Sequence, residues 1–301
     1  MARIGAVRVG IVDVGANTLR LLVAAHENGR VVPLREQRVQ LGLGEEIERS
    51  GEISDEKLGE AQTITKAHVR RARKLGCDRI DVLVTSPGRQ AANGSELVER
   101  ISESTGASTR ILQPEEEGEL AWYGVVAALD DPADSVAVCD FGGGSTQVVV
   151  GSVPGGPAWA RSIDLGSLRL TRRTLGSAPP SGLDLEAARL EIELAFGELT
   201  PPPAQNAFAT GGTARALRKV VGSRLDADAL SSAAKALAKR SRRSIVRMYG
   251  VDPARARTLL AGTLILGEVQ ERLGTALEVG RGGIREGAAL LALEDLAAAT
   301  A

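Results

Sequence analysis

Apolar and polar positions along this chain fall into one pattern written twice. The stretch "VRVGIVDVGANTLRLLVAA" holds two apolar runs around a turn, Asp13-Val-Gly-Ala-Asn-Thr, and predicts two strands joined tightly. The stretch "VAVCDFGGGSTQVVV", Val136 to Val150, repeats it, with Asp140, three glycines and two hydroxyls between β-branched runs. Further matches keep the order: "RVQLGLG" with "SIDLGSL", each a third strand ending in Leu-Gly, and "SDEKLGEAQTITKAHVRRARKLG" with "DLEAARLEIELAFGEL", each helical after a Ser/Asp cap. "RIDVLVTSPGRQA" then matches "QNAFATGGTARAL" as strand, small-residue turn and helix. Finally "TRILQPEEEGELAWYGVVAAL" matches "ALEVGRGGIREGAALLALEDL", a strand leading to a helix expected from Glu117-Gly118 or Glu286-Gly287.

The first offsets are about 127, 124 and 125 residues. The fold class is therefore α/β, with two lobes that each carry a three-stranded hairpin sheet extended by parallel strands and crossover helices. The boundary is expected near "ALDDPADS", giving lobes 1–128 and 129–301, with the last helix, about 286–301, a candidate to return to the first lobe. The second lobe carries an insertion, the basic helical stretch "SSAAKALAKRSRRSIVRMYG" and the helix after it. Two such lobes predict a cleft between them, with one Asp-x-Gly turn brought to it from each.

Composition narrows the chemistry. A net charge of −1 and 2% aromatic residues argue against nucleic acid as a partner, and no run of about 18 apolar residues argues for a membrane. Cys77 and Cys139 lack metal-type spacing and suit a reducing cytoplasm. His26 and His68 are the only histidines, which leaves acid–base work to carboxylates. Three adjacent glycines in a strand context cost about 0.5–1 kcal/mol each, so they imply a special turn or a ligand touching the backbone. A lone Asp-x-Gly turn is ordinarily a local cap. Its duplication, with glycines and hydroxyls beside it, points to phosphate held by backbone amides and to Asp13 and Asp140 holding a hard divalent cation. No Walker lysine follows the glycines, and a strand stands where a dinucleotide fingerprint needs a helix.

With these residues in place the sequence resembles the exopolyphosphatase/guanosine-pentaphosphate phosphohydrolase (Ppx/GppA) family, in the superfamily of actin, sugar kinases and chaperone ATPases. The resemblance rests on "IVDVGANTLRLLVA", "TSPGRQAANG", "PEEEGELAWYGV", "CDFGGGSTQ", "DLGSLRLT", "ATGGTARAL" and "GGIREGA". It implies two ribonuclease-H-like (actin-like ATPase) lobes with an interlobe cleft, and Mg²⁺ or another divalent cation as cofactor. It also implies hydrolysis of a terminal phosphoanhydride of inorganic polyphosphate or guanosine pentaphosphate. Longer members carry an additional C-terminal HD-type domain, which this chain, ending at "LEDLAAATA", is expected to lack.

Residue by residue, the resemblance makes Glu117 the base, and Asp13 and Asp140 the metal ligands. Gly15, Asn17, Thr18, Arg20, Arg89, Gly142, Gly143, Gly144, Ser145, Thr146, Arg169, Gly212 and Thr213 become phosphate contacts. Arg20, Arg89 and Arg169 read equally well as plain ion pairs, and Glu115 and Glu116 as helix-start acids. One departure is Gln147, where the family has glutamate after "GGGST"; a second is "QPEEEG", where small residues usually precede. The first makes a non-hydrolytic polyphosphate or alarmone sensor the rival from another class, with an actin-like or sugar-kinase ATPase behind it. A homodimer is expected from the resemblance, and the "KRSRR" run reads as a solvated helix face.

Overall fold

The computed structural model describes residues 7–27, 30–176 and 179–300. The chain divides into two units, Met1–Ala128 with Gly282–Ala301, and Leu129–Arg281. In the first, β1 (Arg8–Val14), β2 (Thr18–Glu27) and β3 (Arg30–Gln40) form the hairpin sheet. There follow α1 (Leu43–Ser50), α2 (Asp55–Lys74), β4 (Arg79–Val84), α3 (Ser86–Gln90), α4 (Gly94–Thr105), β5 (Ser108–Ile111) and α5 (Pro114–Val126). The second unit contains β6 (Ser135–Phe141), β7 (Thr146–Ser152), β8 (Gly156–Ile163), α6 (Ser167–Arg173), α7 (Gly182–Phe196), β9 (Asn206–Thr210) and α8 (Gly211–Val221). It continues with β10 (Arg224–Leu225), α9 (Ala227–Ala238), α10 (Arg242–Tyr249), α11 (Pro253–Leu273) and β11 (Leu277–Val279), before α12 (Ile284–Thr300) rejoins the first unit.

The duplication read from the sequence is present in the topology. The first sheet runs β3-β2-β1-β4-β5, and the second, read from its other edge, runs β8-β7-β6-β9-β11-β10. In both, the hairpin strands pair antiparallel and the following strands run parallel to the first, save β10, which pairs antiparallel with β11 at the edge of the second sheet. Parallel pairing demands cover on both faces, which explains why β1 is apolar nearly throughout. Val12 and Val14 enter one core with Leu97 and Ile101, while Val9 and Ile11 enter another with Leu120, Ala289 and Leu293.

That second core is closed by α5 and α12, and the two helices approach to backbone contact. A Cβ at Gly124 would strike the Gly283 carbonyl, and one at Gly287 would strike the Leu120 carbonyl. Only glycine allows this approach, and it fixes the path of α5, whose first turn carries Glu117. Two helix starts differ from the sequence expectation. α5 begins at Pro114 rather than Glu117, because proline's fixed φ and missing N–H suit a first turn. α12 begins at Ile284 rather than Glu286, directly after Gly282 and Gly283 with φ of 78° and 157°. The basic stretch is not one helix either: Ser241 caps a new one, its hydroxyl accepting the Ser244 amide at 3.3 Å, so the "KRSRR" run straddles the α9–α10 junction. Among the described residues no helix is long and apolar enough to cross a membrane.

Because backbone cannot yield as a side chain can, Gly287→Ala is expected to destabilise the protein by about 1–3 kcal/mol or more, the ordinary cost of overpacking. Denaturant melts of the two proteins check this.

Candidate active site

Each hairpin turn is built by the same backbone interlock. The Gly15 amide donates to the Thr18 carbonyl at 3.1 Å, and the Gly142 amide to the Ser145 carbonyl at 3.0 Å. The segment that follows the third strand then takes the loop's carbonyls. Leu41 and Gly42 amides donate to the Asn17 carbonyl at 2.9 and 3.2 Å, and Gly44 to the Ala16 carbonyl at 2.8 Å. In the second unit Ser167 donates to the Gly142 carbonyl at 3.1 Å, and Leu168 and Arg169 to that of Gly143 at 2.9 and 3.1 Å. A trans peptide points its N–H opposite its C=O. The amides of Asn17, Thr18, Gly143 and Gly144 are therefore directed away from these segments, the arrangement an anion-binding nest requires.

None of Gly142, Gly143 and Gly144 has a positive φ, so the triple glycine does not serve a left-handed turn. Part of its role is close approach: a Cβ at Gly166 would meet the Gly143 carbonyl and the Gly144 amide nitrogen, so backbone lies on backbone here.

The residues opposite the two loop aspartates differ. In the first unit Asp13 pairs across strands with Arg20, and Arg20 with Arg38. In the second Asp140 pairs with Gln147, and Gln147 with Ser162. Burial pushes the Asp13 carboxyl above its ordinary value; Arg20 and Arg285 pull it back, and Glu286 adds to the rise. Arg20 Nε also donates to the Thr18 hydroxyl at 3.2 Å. In the second unit Asp140 is buried, and Gln147 is 1% exposed. The Gln147 amide nitrogen donates to Ser145 Oγ at 2.9 Å and Ser162 Oγ at 3.0 Å, while its Oε1 has no hydrogen-bond partner. A buried, unpartnered oxygen in the Asp140 row is a place that a cation or donor would satisfy.

The three adjacent acids are told apart by their surroundings. Glu115 is exposed, Glu116 pairs with Arg110 at 2.6 Å, and Glu117 is buried and receives Arg89 on Oε2 at 2.8 Å. Arg89, on α3, is anchored at its other end by the Leu112 carbonyl at 2.6 Å. Of the residues expected to contact phosphate, Arg89 thus joins Glu117 first.

Two others, Thr146 and Arg169, are engaged in holding the fold. Thr146 Oγ1 donates to the Leu165 carbonyl at 2.7 Å, so its proton serves the link between β7 and α6 and does not point at a ligand. Arg169 is buried, bonds the Asp164 carbonyl at 3.0 Å and forms an ion pair with the Asp164 carboxylate. Thr213 is buried against α11, where a Cβ at Gly262 would strike it, and its Oγ1 has no hydrogen-bond partner. Sequence reasoning missed Arg255, whose guanidinium lies where a Cβ of Gly212 would stand. The bare "GG" of Gly211-Gly212 was its only trace: a Cβ at Gly211 would in turn lie 3.0 Å from Asp140 Oδ1.

The raised pKa of Asp13 makes the ionised carboxylate a stability cost that grows as pH rises from its unfolded value of 3.8. Asp13→Asn is therefore expected to raise the melting temperature of metal-free protein at pH 7, with the gain shrinking toward pH 4. Calorimetry across that range checks the sign.

Known proteins share this fold. Residues 22–295 match the Ppx/GppA phosphatase family. The chain is 30% identical to Exopolyphosphatase 1 of Mycobacterium bovis over 312 residues, covering 98% of this chain and 90% of that one. It is 28% identical to Exopolyphosphatase 1 of Mycobacterium leprae, covering 98% and 92%. Among solved structures, the Aquifex aeolicus Ppx/GppA protein superposes with a TM-score of 0.85 at 22% identity over 97% of this chain and 99% of that one. An exopolyphosphatase from Cytophaga hutchinsonii superposes with 0.84 at 21% identity over 96% and 98%. The duplicated hairpin units have the actin-like α/β fold of these proteins, and the chain belongs to the Ppx/GppA phosphatase family.

Proposed function

We propose that this phosphoanhydride hydrolase removes the terminal phosphate of inorganic polyphosphate, with Glu117 as the base. The carrying observation is the burial of Glu117, alone of three adjacent acids, with Oε2 held by an arginine that is itself tied to backbone. In this reading Glu117 takes the proton of a water as its oxygen bonds to the terminal phosphorus. The bridging P–O bond breaks, and the shortened chain leaves as an oxyanion. Arg89 fixes the rotamer of the base, and the loop amides of Asn17, Thr18, Gly143 and Gly144 hold non-bridging oxygens. The names and coverage of the mycobacterial relatives support polyphosphate as the substrate class.

The donor chemistry fits a hard divalent cation such as Mg²⁺. Asp13, Asp140 and the Gln147 Oε1 are all oxygen donors, and Mg²⁺ is characteristically held by one or two carboxylates, water and substrate phosphates. Among the described residues no group of three or more His, Cys, Asp and Glu side chains is placed to hold a metal, so phosphate and water complete its shell in this reading. When bound, the ion neutralises charge on the phosphate oxygens.

With Mg²⁺, purified protein is expected to release phosphate from polyphosphate, and Glu117→Ala to lose about 10²–10⁴ in kcat. Release from guanosine pentaphosphate instead would reassign the substrate, and an unimpaired variant would remove Glu117 from its role. Gln147→Glu, which places a second carboxylate beside Asp140, is expected to tighten Mg²⁺ binding about tenfold or more in calorimetric titration without substrate, since one charge close to a cation is worth about 1–4 kcal/mol between water and a protein site.

A further inference from the structure

The helix α7 is apolar on two opposite faces, and one of them is uncovered. Ala188, Ile192 and Phe196 are buried in the core of the second unit. On the opposite side Leu183, Leu190 and Leu194 are 77%, 56% and 75% exposed, with Ala187 exposed between them. Positions i, i+4, i+7 and i+11 form one straight stripe on a helix, and a helix apolar on both sides ordinarily has partners on both. Both flanks of the stripe are acidic, Glu186 and Glu193 on one side, Asp184 and Glu191 on the other, the last paired with Arg173 at 2.9 Å.

Beside α7 lies a groove of about 840 Å³ with an apolar floor that includes Leu185, Leu230, Leu260 and Leu264. Its rim carries Arg189, Lys235 and Lys239 against Glu268 and Glu271, and Glu268 is already paired with Arg272 at 2.7 Å. Arg242 and Arg243 follow in the same basic run, and all of Arg189, Lys235, Lys239, Arg242 and Arg243 are exposed. One surface of this unit is thus a leucine ridge with acidic flanks, and the surface next to it is a groove with a basic rim.

We propose that these two surfaces are the halves of an isologous dimer interface, in which α7 of each copy lies along the groove of the other. A two-fold axis lets ridge meet groove twice, and the charges then oppose correctly. Ridge against ridge would instead set acidic flank against acidic flank. Size points the same way: a stable interface buries about 800 Å² per partner, more than one three-leucine stripe supplies. Ridge and groove together extend the contact beyond that stripe. Self-association was expected from the resemblance, and this assigns it a surface.

The test is light scattering with analytical ultracentrifugation on the full chain, from about 10 nM to 100 µM, because interfaces of this size range from micromolar affinity to far tighter. The parent is expected to be a dimer weakened by salt. Leu190→Glu with Leu194→Glu places charges at two exposed positions, and is expected to weaken dimerisation by about 100-fold or more while the melting temperature of the monomer is kept. Glu193→Lys is expected to weaken it less, with Lys239→Glu in the same chain recovering part of the loss. A parent that stays monomeric overturns self-association altogether. A dimer that survives the double leucine change with unchanged dissociation constant overturns this surface and leaves the dimer standing.

Discussion

The turn after the first strand of each unit depends on one interaction, the capture of its carbonyls by amides of the segment beyond the third strand. Two of the loop's peptide planes are fixed by these bonds, and planarity then fixes the outward amides. The carboxylate at the strand's end inherits its place from the same interlock, since strand register and turn are set together. Everything chemical in the proposed site stands on that scaffold: amides turned away from the interlocking segment, and an aspartate at the end of the strand before them.

The two copies of this device have diverged in charge. Asp13 faces Arg20, with Arg285 near, and its field is that of a partly neutralised carboxylate under desolvation. Asp140 faces a neutral amide whose oxygen has found no partner. In the second copy the unsatisfied atom is the Gln147 Oε1, and in the first the guanidinium of Arg20 stands at the matching position. The duplicated sheets thus carry unlike residues at the matching cross-strand position, Arg20 in one hairpin and Gln147 in the other.

The duplication was legible because period-two strands, turn glycines and Leu-Gly landmarks recur at nearly fixed spacing, and such local signals survive without knowledge of packing. Glu117 was singled out only through the resemblance; the physical reason, that Glu115 faces water and Glu116 is taken by Arg110, lies in tertiary contacts. The hydroxyl of Thr146 reads as a phosphate donor in sequence, yet its proton goes to Leu165, nineteen residues away. Arg255 was invisible because its partner is the absence of a side chain at Gly212. The leucines of α7 read as core in any window, since periodicity reports that a face is apolar and not whether anything covers it.

The central claim, that the outward loop amides receive phosphate, is open to amide hydrogen exchange followed by NMR on Glu117→Ala protein with Mg²⁺ and polyphosphate. The account predicts slowed exchange at Asn17, Thr18, Gly143 and Gly144 together, with little change on α2 or α9. Exchange that is unaltered at both loops while polyphosphate is bound elsewhere would contradict it.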